Sequence, residues 1–208
     1  MIKHDLKFIY IHIPKTGGST MGVAFAWKLE PHIPIDALFE VKKVEQETET
    51  HLPAILIKNS FPNIFNAYYK VCFVRNSWDL IVSAYFYLKT ECDLEYDFNT
   101  WVNNDFIGTP VRERNIFLNP IQLDWITDEE DNIIVDYIGR FEYFKKDLKK
   151  IYKKIKIKSI KIPHINKTEH RHYSHYYNEK SREIIRQKYR KDIDFFGFKF
   201  EFQKRLFW

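Results

Sequence analysis

Short apolar runs alternate with amphipathic stretches along this chain, and the alternation sets the expected elements. Phe8 to Ile13 is rich in β-branched and aromatic residues and is stopped by Pro14, which reads as a buried strand. Val71 to Val74 has the same character. Phe144, Leu148, Ile151 and Ile155 recur at helical spacing among lysines 145, 146, 149, 150, 153, 154, 156, 158 and 161, the pattern of a helix with one apolar stripe and one solvated basic face. Taken along the whole chain, the pattern predicts strands at 7–13, 70–74, 133–138 and 156–162. Helices are predicted at 18–29, 51–58, 77–89, 97–104, 141–155 and 179–191. Strands separated by helices imply an α/β fold in three layers, a central mostly parallel sheet flanked by helices, with ligands at the carboxyl ends of the strands. Residues 91–132 fit no clear period and are expected to form a helical, loop-rich lid or acceptor wall.

Chemistry concentrates at the ends of the first two long strands. Three of the chain's six glycines fall between positions 17 and 22, in Pro14-Lys15-Thr16-Gly17-Gly18-Ser19-Thr20 and the residues just after it. Glycines let the backbone approach an anion, and the unpaired N–H groups and aligned dipoles of a helix start favour negative charge. Ser19 and Thr20 add hydroxyl donors, and Lys15 adds a cation ahead of the glycines. A nucleotide-hydrolysing P-loop places its lysine after them, so this ammonium is expected to meet a different part of its ligand. The second strand ends in Arg75-Asn76-Ser77-Trp78-Asp79, where Asn76 or Ser77 can cap a helix that carries Asp79 in its first turn. Arg75 at the strand end and Ser83 about two turns into that helix could both reach one phosphate. Taken alone, this second segment reads equally well as a capped helix with a surface arginine.

Together, in this order and separation, the two segments resemble the 5′-phosphosulfate loop and the 3′-phosphate motif of sulfotransferases, closest to the carbohydrate (heparan 2-O-type) branch. Ile138-Gly139-Arg140-Phe141-Glu142 and the stretch from Tyr173 to Phe200 resemble the family more weakly. Ser77 and Leu80 stand where relatives usually carry Pro and Arg, so a contact made by that arginine is absent or replaced here. The resemblance implies a P-loop-like fold, 3′-phosphoadenosine 5′-phosphosulfate as donor and its bisphosphate as product. It also implies cofactor contacts by Lys15, Thr16, Gly17, Gly18, Ser19, Thr20, Arg75 and Ser83. The segment His164-Ile165-Asn166-Lys167-Thr168 resembles the loop that closes over the nucleotide, which adds Lys167 and Thr168, although a solvated connection explains it as simply. His51 resembles the family's histidine at the helix between the two motifs and is the candidate general base, with Lys15 stabilising the leaving phosphate. A structural cap is the competing role for His51. His12, on the first strand, reads as a core histidine.

No metal is expected in this scheme, because protein cations and N–H groups supply the charge compensation that Mg²⁺ gives a kinase. His164, His170, His172 and His175 lack the spacing of a zinc site. A hydroxyl-bearing acceptor, a carbohydrate such as an acidic polysaccharide, is the partner the resemblance implies. The net charge of +5 fits a polyanion of either kind, polysaccharide or nucleic acid, and cannot choose between them. Two rival functions remain open at this level. One is a phosphotransferase using Ile133-Ile134-Val135-Asp136 as a metal-binding strand. The other is a non-catalytic polyanion or nucleic-acid binder using the lysine run.

At 208 residues and 45% hydrophobic content the chain is long enough for one domain over 1–208, with no linker or repeat to divide it. Trp78, Trp101 and Trp125 could stack on sugars, with core packing as their simpler role. Only Cys72 and Cys92 are present, so no disulfide framework points to secretion. No apolar run of roughly 18 residues and no cleavable leader are visible, and a soluble cytoplasmic protein is expected.

Overall fold

The computed structural model describes residues 1–25, 51–91, 94–104, 121–158 and 170–203. The chain folds as two compact units, one formed by Met1–Arg75 with Asn115–Asn166 and the other by Asn76–Arg114 with Lys167–Trp208.

The first unit is built on a four-stranded sheet in the order β1 (Ile2–Lys3), β2 (Phe8–Ile11), β3 (Tyr69–Val74), β4 (Tyr137–Arg140). β1 runs antiparallel to β2, while β2, β3 and β4 are parallel, with Ile11 opposite Cys72 and Val74 opposite Arg140. The sheet is thus mixed and mostly parallel, as the α/β reading requires. Phe8, Tyr10, Val71 and Phe73 point to one face and pack with Met21, Ala24 and Phe25 of the first helix and with Leu148, Ile151 and Tyr152 of a later one. Ile9, Ile11, Cys72 and Val74, which alternate with them, have no exposure either, so both faces of the central strands are covered. Burial also pushes the Cys72 thiol up, which makes it an inert core residue.

Helices α1 (Gly18–Ala24), α2 (Ala54–Ser60) and α3 (Pro62–Ala67) lie between β2 and β3 in this unit. The predicted helix at 18–29 lies outside the described residues beyond position 25. The helix predicted from His51 starts only at Ala54, because Leu52 precedes Pro53 and Pro53 holds ψ at 148°, leaving the helical region just before the first turn. In the second unit, α4 (Ser77–Glu91) follows directly on β3, and α5 (Phe98–Asn103) starts at Asp97, whose carboxylate accepts from the N–H groups of Asn99 and Thr100 at 3.0 Å each.

The lysine-rich helix of the first unit, α6 (Phe144–Lys154), buries Leu148 and Ile151 completely and exposes lysines 145, 146, 149, 150, 153 and 154, as its period predicts. It stops where Lys156 turns left-handed at φ 58° and the Ile157 N–H reaches back to the Tyr152 carbonyl at 3.1 Å. That cap replaces the start of the strand expected at 156–162, whose later residues lie outside the described ones. The strand expected at 133–138 is also displaced: Ile133 only bridges Thr127, and pairing with β3 begins at Tyr137. In the second unit the helix expected at 179–191 is two helices, α7 (Glu179–Lys188) and α8 (Arg190–Phe196), broken at the fully buried Tyr189. Gly197, at φ 64°, closes α8 with the Phe198 N–H bonded to the Ile193 carbonyl at 3.0 Å. Among the described residues no helix is long and apolar enough to cross a membrane.

Candidate active site

The loop between β2 and α1 is shaped by backbone conformation more than by side chains. Lys15 and Gly17 are both left-handed, at φ 63° and 98°, and flank Thr16. Turns of this kind gather successive N–H groups into a concavity that suits an anion. Thr16 has no exposure, and its hydroxyl donates to the Ile13 carbonyl at 2.7 Å, so this side chain braces the loop from inside. Ser19 and Thr20 sit half-buried in the first turn of α1.

The two glycines are needed for different reasons. Gly17 supplies the left-handed turn, and a Cβ there would fall 2.8 Å from Phe144 Cε2 and 3.3 Å from Phe141 Cε2. Gly18 is not left-handed. A Cβ on it would land 1.6 Å from His12 Nε2, so glycine is required because the His12 ring already fills the space. Phe141 and Phe144 are held against the loop by Asp147 of α6, whose carboxylate accepts from the Arg140 N–H at 2.9 Å, the Tyr137 hydroxyl at 2.9 Å and the Lys150 ammonium at 2.7 Å. Burial opposes the charge on Asp147, yet these donors outweigh it and hold the carboxyl below its ordinary range.

Arg75 leaves the end of β3 and is 7% exposed. Its guanidinium lies 4.2 Å from the centre of the Phe141 ring and donates through Nη1 to the Lys15 carbonyl at 3.1 Å. The ends of β2 and β3 are therefore joined by a hydrogen bond between the two segments that the sequence singled out. Gln122 was not foreseen. Its side chain, fully buried, accepts from the Arg75 N–H at 2.7 Å and donates to the Arg75 carbonyl at 2.8 Å, as a neighbouring strand would. Only the mixed character of 91–132 hinted at it, since a glutamine replacing a strand edge leaves no periodic signal.

His51 stands three residues ahead of α2 and does not open that helix, in contrast to the helix predicted over 51–58. A hydrogen bond fixes its proton. Nδ1 of His51 lies 3.0 Å from the His12 carbonyl oxygen, which can only accept, so the proton sits on Nδ1 and a neutral ring carries its lone pair on Nε2. The His12 and His51 rings are 3.9 Å apart, tilted by 39°. His12 is 7% exposed, in keeping with its reading as a buried histidine.

The first unit thus gathers Lys15, Thr16, Gly17, Gly18, Ser19, Thr20, His51 and Arg75 around the ends of β2 and β3. Ser83 belongs to the second unit, in α4, where it is 6% exposed. Lys167 and Thr168 lie outside the described residues. Trp78, Trp101 and Trp125 are buried at 3%, 2% and 4% exposure, which makes them core residues and not sugar platforms. Asp136, the carboxylate that the phosphotransferase reading assigns to a metal, is engaged by Lys70. Its Oδ2 accepts from the Lys70 N–H at 2.7 Å and pairs with the Lys70 ammonium at 2.9 Å.

Comparison with known proteins places the chain in a family. The sequence pattern of the sulfotransferase family matches residues 1–199, and the chain belongs to that family. An uncharacterized protein of Archaeoglobus fulgidus is 31% identical over 108 residues, which cover 50% of this chain and 82% of the archaeal one. No solved structure matches.

Proposed function

We propose that this sulfotransferase takes its sulfuryl group from 3′-phosphoadenosine 5′-phosphosulfate and delivers it to a carbohydrate hydroxyl. The observation that carries the reading is the hydrogen bond from Arg75 to the Lys15 carbonyl, which brings two cationic residues to the ends of adjacent parallel strands. The chemistry of the residues fits such a donor: an ammonium, a guanidinium and a left-handed loop rich in N–H groups suit a ligand bearing several phosphate-like groups. The donor, when bound, supplies the sulfuryl group and a phosphate leaving group.

Lys15 holds its ammonium where negative charge grows on the departing phosphate, and a fixed cation there lowers the barrier without reorganisation. Arg75 steadies the loop that carries Lys15 and binds a second phosphate of the nucleotide. Nε2 of His51 takes the proton of the acceptor hydroxyl, Nδ1 being committed to the His12 carbonyl. Ser83, Lys167 and Thr168 are carried into the nucleotide contacts by resemblance alone. The cytoplasm is proposed as the setting on the ground that a chain with two cysteines, one of them a buried core thiol, has no disulfide framework.

Calorimetry with adenosine 3′,5′-bisphosphate and with ADP, each with and without Mg²⁺, tests the donor. Tighter binding of the bisphosphate, independent of metal, supports the proposal, and preference for ADP with Mg²⁺ overturns it. A labelled-donor screen over glycans, lipids and small phenols tests the acceptor. Label entering only phenols or lipids would remove the carbohydrate.

A further inference from the structure

The buried histidine of β2's exit makes more contacts with the candidate base than a core residue needs to. His12 is seated on three sides. Its ring stacks on Tyr10 at 5.8 Å and 27°, and Tyr10 is fully buried in the sheet core. Its Nε2 edge occupies the space that a side chain at Gly18 would take, in the first turn of α1. Its ring also meets the His51 ring at 3.9 Å, while its carbonyl takes the His51 Nδ1 proton at 3.0 Å. One residue thus sets both the tautomer and the ring plane of His51, and the missing side chain of Gly18 pins that residue to the anion-binding loop.

We propose that His12 is a positioning residue for sulfuryl transfer: its carbonyl holds His51 in the Nδ1–H form, its ring orients Nε2 through the tilted contact with the His51 ring, and through Gly18 it keeps the base and the phosphate loop in fixed register. The proposal rests on the reading of His51 as the base. It explains why the second glycine of the pair is a glycine although its backbone is not left-handed. His12 touches neither donor nor acceptor in this scheme, and its effect on rate passes through His51. Misplacing a reacting group by about 1 Å costs on the order of 10²-fold in rate, which sets the expected effect.

The test compares His12→Ala and His12→Phe with the wild type by long-range proton–nitrogen spectra of the imidazoles, by bisphosphate affinity and by turnover. In the wild type, His51 should show the Nδ1–H tautomer. In His12→Ala the backbone carbonyl that takes the Nδ1 proton remains, so the Nδ1–H form should persist, while loss of the ring contact lowers kcat on the order of 10²-fold with bisphosphate Kd unchanged. His12→Phe, which keeps a ring against His51, should recover most of the rate. A wild-type His51 in the Nε2–H form overturns the proposal. So does a His12→Ala enzyme with unaltered kcat, or a His12→Phe enzyme as slow as His12→Ala. His51→Ala, measured alongside, separates the two readings: if it turns over at the wild-type rate, His51 is not the base, while the tautomer spectra still report whether His12 holds it.

Discussion

Gln122 offers the sharpest test of how the site is assembled. Replacing it with Met keeps the volume and removes two hydrogen bonds, 2.7 and 2.8 Å long, to the backbone of a residue only 7% exposed. Leaving a buried backbone donor or acceptor without its partner costs about 1–3 kcal/mol. The pair is therefore worth about 2–6 kcal/mol, against a total stability of about 5–15 kcal/mol for a typical domain. For a chain of this length each kcal/mol moves the melting temperature by about 2–4 °C, so Gln122→Met should melt about 4–24 °C lower than the wild type. Gln122→Glu keeps the acceptor for the Arg75 N–H but sets a second oxygen against the Arg75 carbonyl in a fully buried place, and at neutral pH should melt at least as low as Gln122→Met. Thermal unfolding followed by circular dichroism reads the shift. Because the same bonds set the direction in which Arg75 leaves β3, bisphosphate affinity should weaken in the same order. A Gln122→Met protein melting within about 2 °C of the wild type would show that water or a shifted backbone satisfies Arg75 as well, and the strand-edge argument would fail.

Other expectations follow from the same geometry. Lys15→Ala should lower kcat by about 10²–10³ while much of the bisphosphate affinity survives, as read by steady-state kinetics beside calorimetry; full activity would remove Lys15 from the mechanism. Gly17→Ala must adopt φ 98° and meet Phe144 at 2.8 Å, so it should lose at least the roughly 1–3 kcal/mol of an overpacked core in denaturant titrations. Asp147 has a carboxyl held below its ordinary value, first against burial and then by Lys150, the Arg140 N–H and Tyr137. Its contribution to stability is present above the ordinary carboxylate range and is lost as pH falls from about 4 through its folded value. Asp147→Asn should accordingly be less stable at neutral pH and show a shallower acid limb. Finally, the Arg75 to Lys15 hydrogen bond predicts that Arg75→Ala and Lys15→Ala are not additive in bisphosphate binding, whereas simple addition of the two losses would mean independent contacts.

The sequence made the central strands plain because Phe8 to Ile11 and Val71 to Val74 are buried on both faces and so carry no polar alternation to confuse the period. It also exposed the lysine face of α6, where one stripe is apolar and everything else is charged. Ile133 misled, since an apolar run looks like a strand even when Ile133 is 36% exposed and, among the described residues, bridges only Thr127. Register there is set by Asp136, which locks onto the Lys70 backbone and makes Tyr137 the first residue of the ladder. α3 escaped notice because six residues starting at Pro62 span too few turns for a helical period to show. Within the site, Lys15, Gly17 and Arg75 were legible as residue types, but Gln122, the role of Gly18 and the proton position on His51 arise from contacts between segments distant in the chain. No local pattern encodes those.

Lys15 ties the conformational and chemical sides of the loop together. A non-glycine residue in the left-handed region costs about 1–2 kcal/mol, and glycine two positions later shows that the chain could have used one here. A glycine would remove the strain and the ammonium with it. The strained backbone is kept in place by the guanidinium of Arg75 on the carbonyl of Lys15 itself, a charged hydrogen bond worth about 1.5–3 kcal/mol, enough to offset the cost. Thr16 adds a second brace on Ile13 from below. The cation therefore leaves a backbone already fixed before any ligand arrives, and binding energy need not be spent on ordering it. That is the condition under which a single ammonium can act on developing charge in a transition state and not merely attract a nucleotide.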